Sequence, residues 1–144
     1  MTSIESPDLL LVEDNPDDAE LTLRAFRRAR LGNPVHVARD GVEALEFLFS
    51  ENGAARAVLP RVVILDLNLP RVNGLEVLAR IRANERTKWL PVVVITSSRE
   101  EPDVQKAYEL GVNSYIVKPV EFEKFVAAVS EVGLYWLVLN QPST

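Results

Sequence analysis

Hydrophobic residues along the chain occur in short runs rich in leucine and β-branched residues, and longer segments with helical periodicity separate these runs. Such alternation is typical of βαβ units that build a parallel sheet. We predict five strands, at residues 9–13, 35–38, 62–66, 92–96 and 114–117. The third and fourth runs are almost continuously apolar, as expected for central strands covered on both faces. His36 and Arg39 give the second run the character of an edge strand.

Helix signals follow each predicted strand. Asp14 or Asn15 can cap the first helix, and Pro16 occupies its first position, where proline is tolerated. The other helices are predicted around 45–49, around 75–82, at 101–110 and at 121–139, and the one long loop is predicted at 52–61. Five strands alternating with five helices predict an α/β fold, a flavodoxin-like doubly wound (βα)5 sheet of order 2-1-3-4-5.

The composition is that of one globular domain: 144 residues, of which 47% are hydrophobic and 26% charged. We place its core at about residues 8–132, treat residues 133–144 as an extension of the last helix and a tail, and expect no fused module. The net charge of −5 argues against nucleic-acid binding, which needs a basic face. Cysteine is absent, which excludes thiolate chemistry. A signal peptide and an apolar run of membrane-spanning length are both lacking, so we expect a cytoplasmic protein without membrane contact.

Polar residues stand at the ends of four predicted strands: Glu13 and Asp14, then Asp66, Thr96 and Lys118. Doubly wound sheets bind ligands beyond the carboxyl ends of their strands, where the strand order reverses. Three neighbouring carboxylates repel one another, and a hard divalent cation such as Mg²⁺, which prefers oxygen ligands, relieves that repulsion. We therefore predict a Mg²⁺ site at the three acids, although helix capping alone would also explain Asp14.

A salt bridge to these acids is one explanation for Lys118. Together with the hydroxyl of Thr96, however, Lys118 also suits the binding of a phosphoryl group. Phosphoryl transfer needs an in-line nucleophile, a cation and donors for the remaining charge. Asp66 can be the nucleophile and form an aspartyl phosphate, while Lys118 and Thr96 each hold a phosphoryl oxygen. We favour this interpretation over a purely structural cluster.

Four segments carry a resemblance to a known family: LLLVEDNPDD at 9–18, VVILDLNLPRVNG at 62–74, VVVITSS at 92–98 and SYIVKPV at 114–120. With them the chain resembles the receiver domain of two-component response regulators over essentially its whole length. The first two of these segments and the C-terminal region are also similar to single-domain regulators that partner phytochrome-type, light-sensing histidine kinases.

The resemblance implies a role for each residue of the acidic site. Asp66 would be the phosphoacceptor, and Asp14 and Asp66 would bind Mg²⁺ directly. Glu13 would bind the ion through water, and Asn68 would contribute its backbone carbonyl. Lys118 would hold one side of the phosphoryl group. The protein would then be a signalling component that assists its own phosphorylation and dephosphorylation, and not an enzyme acting on other substrates.

The resemblance also implies a switch. The hydroxyl of Thr96 would move to the phosphoryl group and Tyr115 would turn inward with it, and we favour this role over the alternative of an ordinary edge-strand tyrosine. The peptide bond before Pro119 would be cis. Asn68 and Ser98 occupy positions where receivers tune the attack of water, and since neither is a good general base, we expect no strong self-hydrolysis.

The phosphoryl donor is expected to be a separate chain. The sequence has one histidine, His36, in a strand-like stretch that does not suit a donor. We therefore expect a sensor histidine kinase as partner, a bacteriophytochrome on the narrower resemblance. The signal would be read through the surface of the fourth helix, fifth strand and fifth helix.

The end of the fifth predicted helix is apolar on all sides at 134–139, LYWLVL. A single outer helix buries only one stripe against its own sheet, so the remainder would form an exposed apolar patch, which usually marks an interface. We predict a homodimer through Phe122, Tyr135, Trp136 and Leu139, with a tail folded back on its own domain as the alternative.

Two rival functions remain open on the sequence. An aspartate-nucleophile phosphatase of the haloacid dehalogenase type would carry its nucleophile, and a second Asp two positions on, at the end of the first strand. Here the candidate nucleophile follows the third strand and position 68 is Asn. A degenerate receiver that acts only as a protein-binding adaptor is the second rival, and the intact set of site residues argues against it.

Overall fold

Five strands and five helices alternate in the computed structural model, which describes residues 9–30, 32–118 and 121–133. In chain order they are β1 (Leu9–Val12), α1 (Pro16–Arg28), β2 (Val35–Ala38), α2 (Gly41–Leu48), β3 (Val62–Leu65), α3 (Gly74–Ala83), β4 (Val92–Thr96), α4 (Glu101–Glu109), β5 (Ser114–Val117) and α5 (Phe122–Gly133). All neighbouring strands are parallel and their order is β2-β1-β3-β4-β5. The predicted flavodoxin-like fold is confirmed.

Two apolar layers cover the sheet, one on each face. Alternate strand residues such as Leu10 and Val63 pack with α2, α3 and α4, while Leu11 and Ile64 pack with α1 and α5. This explains why β1, β3 and β4 are buried at every position and apolar throughout except for Thr96, the last residue of β4. The edge position predicted for β2 is also confirmed, and the ring of His36 stacks there on Phe47 at 4.2 Å.

Several predicted boundaries need correction by one to a few residues. β1 and β3 end one residue early, so Glu13 and Asp66 follow their strands. The second helix ends at Leu48, because the backbone of Phe49 is extended.

The predicted loop at 52–61 is held in place by Arg86, whose guanidinium donates to three successive backbone carbonyls of that loop.

Asn15, and not Asp14, caps the first helix. Its side-chain oxygen accepts hydrogen bonds from the backbone N–H groups of Asp17 and Asp18, at 2.9 and 3.0 Å, and Pro16 begins the helix as predicted. Because capping falls to Asn15, the carboxylate of Asp14 is left exposed at the end of β1. The capping explanation for Asp14 is therefore wrong.

Gly74 begins α3 directly beside the loop that follows β3. A Cβ at this position would collide with the backbone carbonyl of Asp66, so only glycine allows α3 to start this close to the strand end. The first turn of α3 therefore fixes the backbone next to the candidate phosphoacceptor.

Some predictions fall outside the described residues. These are the peptide bond before Pro119, and the part of the fifth helix predicted at 134–139, which includes Tyr135, Trp136 and Leu139. Within the described residues, α5 runs from Phe122 to Gly133. None of the helices among these residues is long and apolar enough to cross a membrane.

Candidate functional site

The site lies at the carboxyl ends of four strands. Glu13 and Asp66 directly follow β1 and β3, Thr96 is the last residue of β4, and Lys118 follows β5. Because β1 and β3 are neighbours although the chain passes through β2 between them, the strand order reverses at this point. Doubly wound folds open their ligand crevice at such a reversal. The fold thus brings together residues that lie far apart in the sequence.

Three carboxylates face one another in this crevice. Glu13, Asp14 and Asp66 can each offer one oxygen, and these oxygens all lie within 4.8 Å of one another. Glu13 and Asp66 are buried, and Asp14 is exposed to solvent. Buried oxygens on one side and open solvent on the other suit a hard cation that keeps part of its water shell. The donor set therefore fits a divalent metal ion.

Lys118 closes the other side of the crevice. Its Nζ donates to Glu13 Oε1 at 2.8 Å, to Asp18 Oδ2 at 2.8 Å and to Asp66 Oδ2 at 3.0 Å. A lysine ammonium group has three N–H donors, so each donor has a carboxylate partner. This one cation thus contacts three carboxylates that would otherwise repel one another.

Burial raises the pKa of Glu13 to about 7, and the nearby charge of Asp66 adds to the effect, although the hydrogen bond from Lys118 opposes it. For Lys118, burial lowers the pKa, but the hydrogen bonds to Asp18, Glu13 and Asp66 outweigh it and leave the pKa above its usual value. Lys118 is therefore charged, and the crevice still contains more negative charge than this lysine offsets.

Asp66 and Thr96 are linked through Asn68. The backbone N–H of Asn68 donates to Asp66 Oδ1 at 3.0 Å, and its side-chain amide donates to Ser97 Oγ at 3.0 Å and to Thr96 Oγ1 at 3.4 Å. The Thr96 hydroxyl oxygen also accepts from the backbone N–H of Ser98 at 3.3 Å. The loop after β3 and the loop after β4 are thus joined beside the candidate phosphoacceptor.

Tyr115 reaches the same loop from β5. Its hydroxyl donates to the backbone carbonyl of Ser98 at 3.0 Å, while the hydroxyl of Ser98 donates to Asp103 on α4 at 2.6 Å. The ring of Tyr115 stacks against Tyr108 with 6.3 Å between centroids. Tyr115 is therefore tied to the loop that follows Thr96, and it contacts α4 as well.

Two residues of the site were missed by the sequence analysis. Asp18, on the first turn of α1, makes one of the three bonds to Lys118. The backbone N–H of Asn15 donates to Glu13 Oε2 at 3.2 Å and so helps to orient that carboxylate. A usable signal existed, because α1 starts at the same sheet edge as the strand ends and its first turn contains two further acids.

Of the four residues predicted for a dimer interface, only Phe122 lies within the described part of the chain. Phe122, in the first turn of α5, is partly buried and packs against the apolar layer beneath α1 and α5. The other residues predicted for that interface lie beyond the described part of the chain.

A doubly wound sheet with three acids and a lysine at its switch point defines a class of signalling domains. The chain belongs to the response regulator receiver domain family: the sequence profile for that domain matches residues 9–130. This confirms the predicted family, which acts in two-component signalling.

Three relatives support this assignment over most of the chain. The probable methanogenesis regulatory protein FilR2 of Methanothrix harundinacea is 45% identical over 133 residues, which cover 92% of this chain and 85% of FilR2. The response regulator Rcp1 of Synechocystis sp. is 36% identical over 129 residues, covering 90% of this chain and 88% of Rcp1. The solved structure of the bacteriophytochrome response regulator RtBRR is 50% identical, with a TM-score of 0.75 and coverage of 96% of this chain and 85% of RtBRR.

A second solved structure bears on the metal. The Mn²⁺-bound form of Rcp1 matches with a TM-score of 0.78 and 34% identity, and the match covers 96% of this chain and all of that one. A relative with this fold thus holds a divalent cation, and the three acids of the present chain form a possible site for one.

Proposed function

We propose that this protein is a response regulator that accepts a phosphoryl group on Asp66 from a sensor histidine kinase, in a Mg²⁺-dependent reaction. The observation that carries the proposal is the arrangement around Asp66: one oxygen accepts from the backbone N–H of Asn68 and the other from Lys118. Both oxygens are oriented in a crevice whose acids fit a divalent cation. As part of this proposal, the receiver domain spans 1–144 with its core at 8–132, and the protein acts in the cytoplasm.

Mg²⁺ would be held by carboxylates of Asp14 and Asp66, by Glu13 through water and by the backbone carbonyl of Asn68. All these groups are oxygen donors, which Mg²⁺ prefers, and burial together with the nearby charge of Asp66 raises the pKa of Glu13, so that a cation beside it would favour its charged form. When bound, the ion neutralises charge that develops on the phosphoryl oxygens during transfer.

The transfer itself requires little from the protein beyond position. A carboxylate oxygen of Asp66 attacks the phosphorus of a phosphohistidine, the new P–O bond forms in line with the P–N bond that breaks, and the kinase histidine leaves with the electron pair. Lys118 and the hydroxyl of Thr96 each hold a phosphoryl oxygen. Tyr115 follows Thr96, because both are bound to the loop around Ser98.

Acetyl phosphate, with and without Mg²⁺, followed by intact-mass measurement, tests this proposal. We expect an adduct of one phosphoryl group that requires Mg²⁺, is absent in Asp66→Asn, and is unchanged in the matched control Asp17→Asn, an exposed aspartate on the first turn of α1. Absence of any adduct on the folded protein would instead indicate the adaptor function. Steady phosphate release from many monoesters would indicate a phosphatase.

We further propose that the kinase is of the phytochrome type. Support comes from the 50% identity to a bacteriophytochrome response regulator over nearly the whole chain. Phosphotransfer from purified kinases tests this: we expect a phytochrome-type kinase to phosphorylate this protein at least roughly tenfold faster than a chemoreceptor-coupled kinase. Equal rates, or a preference for the second kinase, would contradict it.

The phosphorylated state is read through α4, β5 and α5, and the protein forms a homodimer through Phe122 and the apolar residues Tyr135, Trp136 and Leu139 that follow α5. Support for the first part is the contact between Tyr115 on β5 and Tyr108 on α4, whose side chain is largely exposed. For the dimer, support is the apolar sequence at 134–139. Sedimentation at tens of micromolar tests the dimer: Trp136→Ala should yield monomer, whereas the control Trp89→Ala, at an exposed tryptophan outside the predicted interface, should remain dimeric. A wild-type monomer with a shielded Trp136 would contradict it.

A further inference from the structure

Lys118 has no donor left for a phosphoryl oxygen in this structure. Its three N–H groups are directed to Glu13, Asp18 and Asp66 at 2.8, 2.8 and 3.0 Å. An ammonium group offers three donors in all. For Lys118 to hold a phosphoryl group on Asp66, as the proposed function requires, at least one of these bonds must be exchanged.

The three carboxylates differ in how easily they release the lysine. The side chains of Glu13 and Asp66 are 4% and 6% exposed, whereas that of Asp18 is 38% exposed. A buried carboxylate that loses its cation remains poorly solvated, which is costly, while an exposed one is rehydrated by water. Glu13 and Asp66 also belong to the acids that would surround the metal. The hydrogen bond between Lys118 and Asp18 is therefore the one that breaks most easily.

Asp18 is held in place by the start of α1. Its backbone N–H donates to the side chain of Asn15 at 3.0 Å, and its backbone carbonyl accepts from the hydroxyl of Thr22 at 3.0 Å. Pro16 adds rigidity at the first position of the helix. The carboxylate is thus presented to Lys118 by a fixed backbone, and releasing the lysine requires only a side-chain rotation.

We propose that Asp18 is a positioning residue that holds Lys118 in the unphosphorylated protein and releases it when a phosphoryl group arrives. The Asp18–Lys118 bond then opposes phosphorylation, since it has to be broken for the phosphoryl group to be held. Removing the carboxylate of Asp18 favours the phosphorylated state. This inference rests on the proposed function, because it assigns Lys118 to the phosphoryl group.

The test measures binding of beryllofluoride, a phosphoryl mimic, at saturating Mg²⁺ by titration calorimetry on the full chain. We expect Asp18→Asn to bind it about three- to tenfold more tightly than wild type, the effect of losing one partly exposed charged hydrogen bond. Asp18→Glu retains a carboxylate, so its affinity for beryllofluoride should be close to that of the wild type. Asp17→Asn removes the neighbouring acid of the same helical turn, which is exposed and forms no ion pair with Lys118, and should equal wild type.

A merely structural role of Asp18 would lower the melting temperature without tightening the binding of beryllofluoride. Thermal unfolding of each variant is therefore recorded beside the titration. Binding by Asp18→Asn that equals wild type or is weaker would overturn the inference while leaving the proposed function intact. A wild-type protein that binds no beryllofluoride in Mg²⁺ would overturn both.

Discussion

Two partly buried cations lie at opposite ends of β4 and have different partners. At the carboxyl end, Lys118 donates to three carboxylates. At the other end, the guanidinium of Arg82, on α3, donates to four backbone carbonyls. Two of them, Lys88 and Leu90, precede β4, and the other two, Leu110 and Gly111, follow α4. Carbonyls of the main chain cannot move away without unfolding, but side-chain carboxylates can. The contrast indicates that Arg82 secures the fold while Lys118 is free to change partners.

The largest effect is expected from Arg82→Met. The four carbonyls lose their donor, and their partial burial prevents full hydration, so we expect a loss of about 2–4 kcal/mol in the free energy of unfolding. Urea denaturation measures it. The control Arg80→Met, in the same helix, removes only an exposed pair with Glu76 and should cost about 0.3–0.5 kcal/mol. An equal loss in the free energy of unfolding in both variants would contradict the structural role assigned to Arg82.

Mg²⁺ should stabilise the protein more at pH 8 than at pH 5.5. In the metal-free folded state burial raises the pKa of Glu13 from 4.5 to about 7. An acidic group whose pKa is higher in the folded than in the unfolded state stabilises the folded protein at pH values below its unfolded-state pKa. This stabilisation is lost as the pH rises through the folded-state pKa of about 7. Metal binding needs the charged carboxylate of Glu13, so at low pH protons compete with Mg²⁺ for this group. At a hundredfold excess over its Kd the ion should add about 2.7 kcal/mol at pH 8.

Thermal unfolding with Mg²⁺ or with EDTA at both pH values measures this difference. The control is Glu13→Gln, which removes the titrating group and should flatten the dependence on pH. An equal gain from Mg²⁺ at pH 5.5 and pH 8 in the wild type would contradict the account of the acidic crevice.

Asp66→Asn should have the smallest effect on stability. Lys118 keeps Glu13 and Asp18 as partners, the amide oxygen can still accept from the backbone N–H of Asn68, and one of three crowded charges disappears. We expect the free energy of unfolding in EDTA to remain within about 1 kcal/mol of wild type or to rise. A loss of more than about 2 kcal/mol would show that Asp66 is needed for folding, and the two cations would then differ less than proposed.

Much of the fold and most of the site could be predicted from the sequence. The apolar runs of β1, β3 and β4 and the proline at the start of α1 are local signals, and the strand order follows from general rules for doubly wound sheets. Acids and a lysine at strand ends then converge because parallel strands end at one edge. Five residues of one crevice could therefore be predicted from the sequence: Glu13, Asp14, Asp66, Thr96 and Lys118.

The features that were missed depend on contacts between distant parts of the chain. The acids in the first turn of α1 were a signal, but which of them would reach Lys118 could not be read from the sequence, because the bond spans two separate elements. Arg82 falls on the same helical face as Leu75 and Leu78, but that periodicity does not reveal its four acceptors, which lie on two other segments. Whether Asp14 or Asn15 would cap α1 depended on backbone geometry, since both side chains are suitable.

Identification of the phosphorylated residue tests the central claim most directly. The protein is treated with acetyl phosphate and Mg²⁺, the acyl phosphate is reduced with borohydride, which converts the modified aspartate to homoserine, and peptides are sequenced by mass spectrometry. Homoserine at position 66 alone, and only in samples with Mg²⁺, is the predicted result. Homoserine at Asp14 or Asp18 in place of Asp66, or an equal yield in EDTA, would contradict it.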